Sequence, residues 1–324
     1  MDFKAVYSVV ADDFAAVNQF IHDRLNTNGP MSREVGEYIV GSGGKRLRPL
    51  VAILTARACG YQGQHHVNVA AIIEFLHTAT LLHDDVVDES LMRRGRPTVN
   101  AVYGNSASVL VGDFLISRAF QLVVEVGNLQ LMESLAASTN VISEGEVLQL
   151  INCRDPSTTE ERYMKVIHHK TAKMFDSDAE TGAVLGVGRA QPEIPTALAA
   201  YGRHLGIAVQ LVDDVLDYVG DADALGKNVG DDLAEGKPTL PLIRTMQLAT
   251  AAEADMIRHA ILHGGLDKLD EILAVVRQYG GLEYTIQQAR AHTAKAIETL
   301  QILPPSSYRE ALEALAKLAA DRDF

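Results

Sequence analysis

The sequence predicts an all-α fold, a single large helical bundle. Ala, Leu, Glu, Gln and Arg dominate every long segment, and runs of alternating β-branched residues are missing. No Ser/Gly/Pro-rich linker, low-complexity tract or short-period repeat interrupts the 324 residues. One helical domain over 1–324 is therefore expected in place of the two that length alone suggests.

Helices are expected over 2 to 26, 48 to 60, 66 to 89, 106 to 127, 129 to 153, 158 to 187, 193 to 219, 238 to 263, 266 to 279, 281 to 301 and 307 to 322. Pro49 stands where a helix begins, and Thr158 with Glu161 three residues on reads as a capping box. Gly60 and Gly220 fall just past helix ends. Irregular chain is expected over 91 to 100 and over 220 to 237. Two helices look internal: from Val67 to Leu82 apolar residues occupy almost every face, and Tyr201 to Val219 repeats the pattern more weakly.

Composition narrows the function. The 29 Lys+Arg against 42 Asp+Glu leave a net charge of −13, so nucleic acid and anionic membrane surfaces are not expected partners, because affinity for them comes from clustered cations. Cys59 and Cys153 lie far from any C-x-x-C spacing and read as buried free thiols in a reducing compartment. The opening Met-Asp-Phe-Lys has no apolar signal region, and no uncharged apolar run reaches about 18 residues. A soluble cytoplasmic protein without a transmembrane segment is expected.

Both internal helices end in D-D-x-x-D: Asp84-Asp85-Val86-Val87-Asp88 and Asp213-Asp214-Val215-Leu216-Asp217. At about 3.6 residues per turn the outer two carboxylates of each motif stack on one face, and the middle one is rotated by about 100°. A helix C-terminus carries partial negative charge, like charges one turn apart repel, and the apolar neighbours add a desolvation cost. Something positive must offset this, and hard divalent cations that share carboxylates, water and substrate phosphate fit Mg²⁺. Cations lie close by in sequence. Gly43-Gly44-Lys45-Arg46-Leu47-Arg48-Pro49 is a glycine-loosened turn into a helix, where Lys45 and Arg48 make a diphosphate cradle. It is not a Walker A loop, since Ile39 replaces the leading Gly and Arg46 follows the Lys. Arg93 and Arg94 follow the first motif; Lys227 and Lys237 follow the second.

With these residues in place the chain resembles the trans-type polyprenyl diphosphate synthases, most closely the bacterial octaprenyl diphosphate synthases, over its whole length. Gly44 to Pro49, Glu74 to Gly95, Gly112-Asp113, Lys170-Thr171-Ala172, Gln210 to Tyr218 and Gly226 to Pro241 carry the resemblance. It implies an isoprenoid-synthase bundle around a central cavity, and three Mg²⁺ ions held by Asp84, Asp88 and Asp213, with Asp85, Asp214 and Asp217 acting behind them or through metal-bound water. By the same resemblance Lys45, Arg48, His77 and Arg94 bind isopentenyl diphosphate. Arg93, Lys170, Thr171, Gln210, Lys227 and Lys237 serve the allylic diphosphate, with Lys170 and Lys237 close to the chemistry. The implied reaction adds isopentenyl units to an allylic primer such as farnesyl diphosphate, giving a long all-trans product, octaprenyl diphosphate, for quinone side chains. A homodimer is implied as well.

Ala79 and Thr80, about one turn before Asp84, are small where bulky aromatics close the product tunnel in short-chain members, so a long product is expected. The candidates for the tunnel floor, Leu110, Phe114 and Phe120, read first as ordinary core packing. One segment departs from the family: Asp176-Ser177-Asp178-Ala179-Glu180 follows Phe175 where small and apolar residues are usual. Asp176 and Glu180 form a like-charge i, i+4 pair, so an exposed helix face is expected there, against an altered tunnel or weakened allylic binding. Three rival architectures disagree with the residues present. A di-iron bundle needs a second E-x-x-H beside Glu74 to His77, and none exists. A non-catalytic partner subunit should have lost one Asp motif or its cations, and a terpene cyclase should lack Lys45, Arg48 and His77.

Overall fold

The structure, a computed structural model, describes residues 1–25, 30–41, 44–219 and 229–320. The chain divides into two compact units, each assembled from three separate stretches. The first comprises Met1–Ala137, Phe175–Gly202 and Thr299–Leu315; the second comprises Ser138–Met174, Arg203–Glu298 and the chain from Ala316.

In the first unit α1 (Phe3–Ser8), α2 (Ala11–Leu25), α3 (Pro30–Val40) and α4 (Leu47–Ala58) lead to α5 (His65–Val87). A two-residue hairpin pairs β1 (Met92–Arg93) with β2 (Arg96–Pro97), and α6 (Val99–Tyr103) and α7 (Asn105–Val126) follow. The beginning of α8 (Leu129–Asn152), nearly all of α10 (Lys173–Val187) and the start of α11 (Glu193–Val219) belong here too. α5 is the core helix. Its residues Val69 to Phe75 are buried on every side, Glu74 among them, with α2, α4 and α7 packed around it. This is why its sequence shows almost no polar face. α10 lies directly on α4: a Cβ at Gly182 would come 2.4 Å from the Ala52 carbonyl oxygen, and one at Gly186 would come 2.4 Å from the Cys59 Cβ. That approach leaves no room for side chains and brings Phe175, at the start of α10, beneath Arg48.

The second unit contains the rest of α8, α9 (Glu160–Ile167), most of α11, α12 (Asp231–Ala234), α13 (Leu240–Leu248), α14 (Ala251–His263), α15 (Leu269–Gln278) and α16 (Gly281–Thr299). α17 (Ser307–Ala320) begins in the first unit and ends in the second. Tyr163, Ile167, Leu211, Val212, Leu240 and Ile243 form one apolar cluster, and Tyr218, Leu233, Ile257, Ile272 and Val276 anchor another. The two clusters hold α11 from Ile207 to Val219 and fix the direction in which its terminal carboxylates point.

Several expectations need correction. The helix expected over 2 to 26 breaks at Val9-Val10, and α3, α6 and α12 form where none was expected. The helix expected over 158 to 187 is interrupted by a π turn, His168–Ala172. The cap of α9 is Thr159, whose Oγ1 accepts from the Arg162 N–H, while Thr158 is buried and its hydroxyl has no partner. The helix expected over 238 to 263 divides at Ala249-Thr250, because Thr250 and Glu253 form a capping box that starts α14. Leu110 is not core packing: it lies on the outer face of α7 and is 66% exposed. Asp176, Ser177 and Asp178 are not on an exposed face either but are buried, because Gly182 and Gly186 pull α10 onto α4. Gly220 lies outside the described residues. Both cysteines are half-buried thiols outside any disulfide, and burial pushes the Cys59 thiol up to about 12. Among the described helices α7 is long and apolar enough to cross a membrane, but it carries Asp113, Arg118 and Glu125 and packs along α5.

Candidate active site

In the first unit the motif closes α5. Asp88 caps the helix, its N–H donating to the Asp84 carbonyl at 2.8 Å, and the Asp84 and Asp88 side chains are half-buried. Asp85 turns inward and is fully buried. Arg93, delivered by the hairpin, grips it from two nitrogens, Nη2 to Oδ1 at 2.7 Å and Nε to Oδ1 at 2.9 Å. A carboxylate taken out of water survives only when paired this way. Asn100 ties the same helix end down, donating from Nδ2 to the carbonyls of Asp85 and Ser90, both at 3.1 Å.

The cationic turn lies in the same unit. The Gly44 φ of +123° is open to glycine alone, and a Cβ there would come 2.5 Å from Arg94 Nη1, so Gly44 is what lets the Arg94 guanidinium lie against the turn. Lys45 Nζ lies 4.6 Å from the centre of the Phe3 ring. Arg48 stacks 4.5 Å above the Phe175 ring, and its Nη1 donates to His77 Nε2 at 3.2 Å. His77 is kept neutral: burial, then the charges of Arg48, Arg94 and Arg93, hold its pKa well below the ordinary range. One turn back, burial raises the Glu74 carboxyl against the opposing pull of Arg46, Arg48 and Arg94. Ala79 is fully buried, and the Thr80 hydroxyl donates to the His77 carbonyl at 2.8 Å.

In the second unit the motif lies in the last turns of α11, with Asp213 exposed, Asp214 buried and Asp217 half-buried. Asp214 has neutral partners: Gln210 Nε2 donates to Oδ1 at 2.7 Å, and the Tyr163 hydroxyl donates to Oδ2. Burial, then the charge of Asp232, pushes the Asp214 carboxyl well above the usual carboxylate range. Gln210 also accepts from the Thr171 hydroxyl at 2.9 Å. Thr171 and Lys170 sit on the π turn, where one extra residue per turn redirects side chains, a geometry that recurs at functional sites. Lys170 Nζ donates to Glu146 at 2.7 Å, and Lys237 pairs with Glu235. Asp217 accepts from the Asp232 N–H at 3.2 Å. Lys227 lies outside the described residues.

Sequence reasoning did not single out Tyr163, Glu146, Glu235, Asn100 or Phe175. Only Glu235 stands in a motif, two residues before Lys237, and the others act on a neighbour that folding brings up. The donors around the motifs are hard carboxylate oxygens. That suits Mg²⁺, which takes one or two carboxylates and completes its shell with water and phosphate.

An all-α bundle with two such motifs, the first gripped by Arg93, is the architecture of a prenyltransferase. Residues 30–279 match the polyprenyl synthetase family, and the chain belongs to that family. It is 51% identical over the full length of both chains to the octaprenyl diphosphate synthase of Escherichia coli K12. To the all-trans-nonaprenyl-diphosphate synthase (geranyl-diphosphate specific) of Rhodobacter capsulatus it is 48% identical over 99% of each chain. A polyprenyl synthase from Caulobacter crescentus CB15, solved with calcium and isoprenyl diphosphate, superposes with a TM-score of 0.95 at 40% identity, covering 99% of this chain and 98% of that one. The protein is a long-chain trans-prenyltransferase.

Proposed function

We propose that this single-domain enzyme condenses isopentenyl diphosphate stepwise onto farnesyl diphosphate and releases octaprenyl diphosphate for quinone side chains. The observation that carries the reading is the pair of Asp motifs, each closing a largely buried helix and each followed in sequence by cations. Asp84, Asp88 and Asp213 are the residues that would hold three Mg²⁺ ions, whose contribution is to neutralise charge developing on the leaving diphosphate. Lys45, Arg48, His77 and Arg94 then bind the isopentenyl diphosphate, and neutral His77 also holds Arg48 through its Nε2. Arg93, Lys170, Thr171, Gln210, Lys227 and Lys237 bind and orient the allylic diphosphate. Asp85, Asp214 and Asp217 keep the motif ends in place. The protein's own work is to position two substrates and keep water from a reactive allylic cation, which needs no nucleophilic side chain.

Ala79 supports a long product, since a methyl group occupies the position one turn before the motif. Similarity alone does not choose between product lengths, because relatives making octaprenyl and nonaprenyl products match almost equally well. A cytoplasmic homodimer completes the proposal, and the exposed Val109, Leu110 and Val124 on α7 give a second copy an apolar face to cover. Incubation with isopentenyl and farnesyl diphosphates, with and without Mg²⁺, followed by product sizing, tests the reading: elongation to octaprenyl only with Mg²⁺ is expected, and no elongation with Mg²⁺ defeats it. Ala79→Tyr is expected to shorten the product, and an unchanged distribution would remove the tunnel argument.

A further inference from the structure

The buried Asp176-Ser177-Asp178 stretch of α10 follows directly on Phe175, the ring under Arg48 of the cationic turn. Asp178 is 1% exposed, and neither of its carboxyl oxygens has a hydrogen-bond partner; the buried Ser177 hydroxyl beside it has none either. Phe175, three residues earlier and so on the same face of α10, is the ring under the Arg48 guanidinium. Arg48 on α4 is the cation that acts on Asp178. Glu74 on α5 and Asp176 on α10 supply the opposing negative charges. Glu74 is itself buried, with Oε1 3.7 Å from Arg46 Nε and Oε2 without a partner. His77, one turn beyond Glu74, receives the Arg48 hydrogen bond. An ionised carboxylate with no donor is not tolerated at this depth, so Asp178 is held as the neutral acid, its pKa well above the usual range through burial.

We propose that Asp178 is a positioning residue that acts through Arg48: as a neutral acid it leaves the full Arg48 charge to isopentenyl diphosphate, and on losing its proton to solvent it draws that charge inward. The inference rests on the reading that Arg48 and His77 bind the isopentenyl diphosphate. The consequence falls on one substrate. Affinity for isopentenyl diphosphate declines as pH rises through the Asp178 titration, and affinity for the allylic substrate does not. His77 is already neutral and adds no proton in that range, whereas Glu74 faces the same guanidinium and needs its own control.

The test measures kcat and KM for both substrates with saturating Mg²⁺ from about pH 6.5 to about pH 10 in the full-length wild type, D178N, D178A and E74Q. The wild-type KM for isopentenyl diphosphate is expected to rise with pH by up to about tenfold per unit, while D178N and D178A stay on the low-pH value and E74Q keeps a rising limb. The allylic KM is expected to follow one profile in all four proteins. Circular dichroism melts identify any variant that does not fold, and the second Asp178 substitution then carries the comparison. Superimposed isopentenyl KM profiles for the wild type and a folded Asp178 variant overturn the proposal, as does an equal change in the allylic KM. An active wild type with a flat profile refutes this inference alone, whereas a wild type that transfers no isopentenyl unit at any pH refutes the reading beneath it.

Discussion

The two D-D-x-x-D motifs share spacing and a place at the C-terminal end of a long helix, yet their buried middle carboxylates are satisfied by opposite means. Asp85 is neutralised by a cation, Arg93, through two short hydrogen bonds. Asp214 is held by an amide and a phenol, Gln210 and Tyr163, and its proton affinity rises. The first motif thus carries a cationic counter-charge within its own unit, whereas the middle carboxyl of the second is oriented by neutral donors and favours its protonated form. Identical spacing dictates which carboxylates share a face, but neighbours brought by other elements decide how much negative charge each motif presents. The motif with less internal compensation is the one expected to depend more on bound cations.

The comparison can be broken at several points. Asp213→Ala should lower kcat by about 10² to 10³, the cost of losing one preorganised contributor to charge stabilisation, and steady-state assays over an Mg²⁺ series would check it. A fall below about tenfold would mean that the second motif is not the more cation-dependent one. Arg93→Ala should destabilise the fold by about 3–5 kcal/mol, because it strands a fully buried Asp85, and urea unfolding reads this directly. The double change Asp85→Asn with Arg93→Ala should recover much of the loss.

Asp178→Asn offers a test with a pH sign. The folded-state pKa of Asp178 lies above its unfolded value of about 4, so the folded state binds the extra proton, and stability declines as pH rises from about 4 toward the folded value, by about 1.4 kcal/mol per unit. Asn takes no part in that loss. D178N should therefore melt higher than the wild type at pH 7, with the difference shrinking toward pH 4, and equal melting curves across that range would contradict it. The smallest effect is expected from Tyr163→Phe, which removes one neutral donor from Asp214 and should cost about 1–2 kcal/mol in the same unfolding experiment. A loss as large as that of Arg93→Ala would erase the distinction between the two motifs.

Much of this was legible in the residues. The period of apolar positions located nearly every long helix, and the absence of a polar face on Val67 to Leu82 marked α5 as central. The cap of α14 was also written locally, as Thr250 and Glu253, but it lay inside a segment whose apolar pattern runs on without a break. α3 was missed because Met31 to Val40 mixes Gly, Ser and charge, and packing sustains it as a helix. The burial of Asp176 to Asp178 is not legible in the residues, since Asp176 and Glu180, acids one turn apart, ordinarily mean a solvated face. Gly182 and Gly186, several residues on, are what bring that face against α4, and their effect depends on a partner helix far away in sequence.

By itself the sequence determined that the chain is helical, that two carboxylate triplets end internal helices, and that hard cations and phosphate are the matching chemistry. Those are consequences of residue type and of a fixed helical pitch, which act over a few residues. Only the tertiary structure decided that Arg93 neutralises Asp85, that Tyr163 and Gln210 hold Asp214, that Lys170 and Thr171 sit on a π turn, and that an unpartnered acid lies buried on the Phe175 face of α10. Each of these depends on which distant element excludes water from a polar group, and burial of that kind is set by long-range packing.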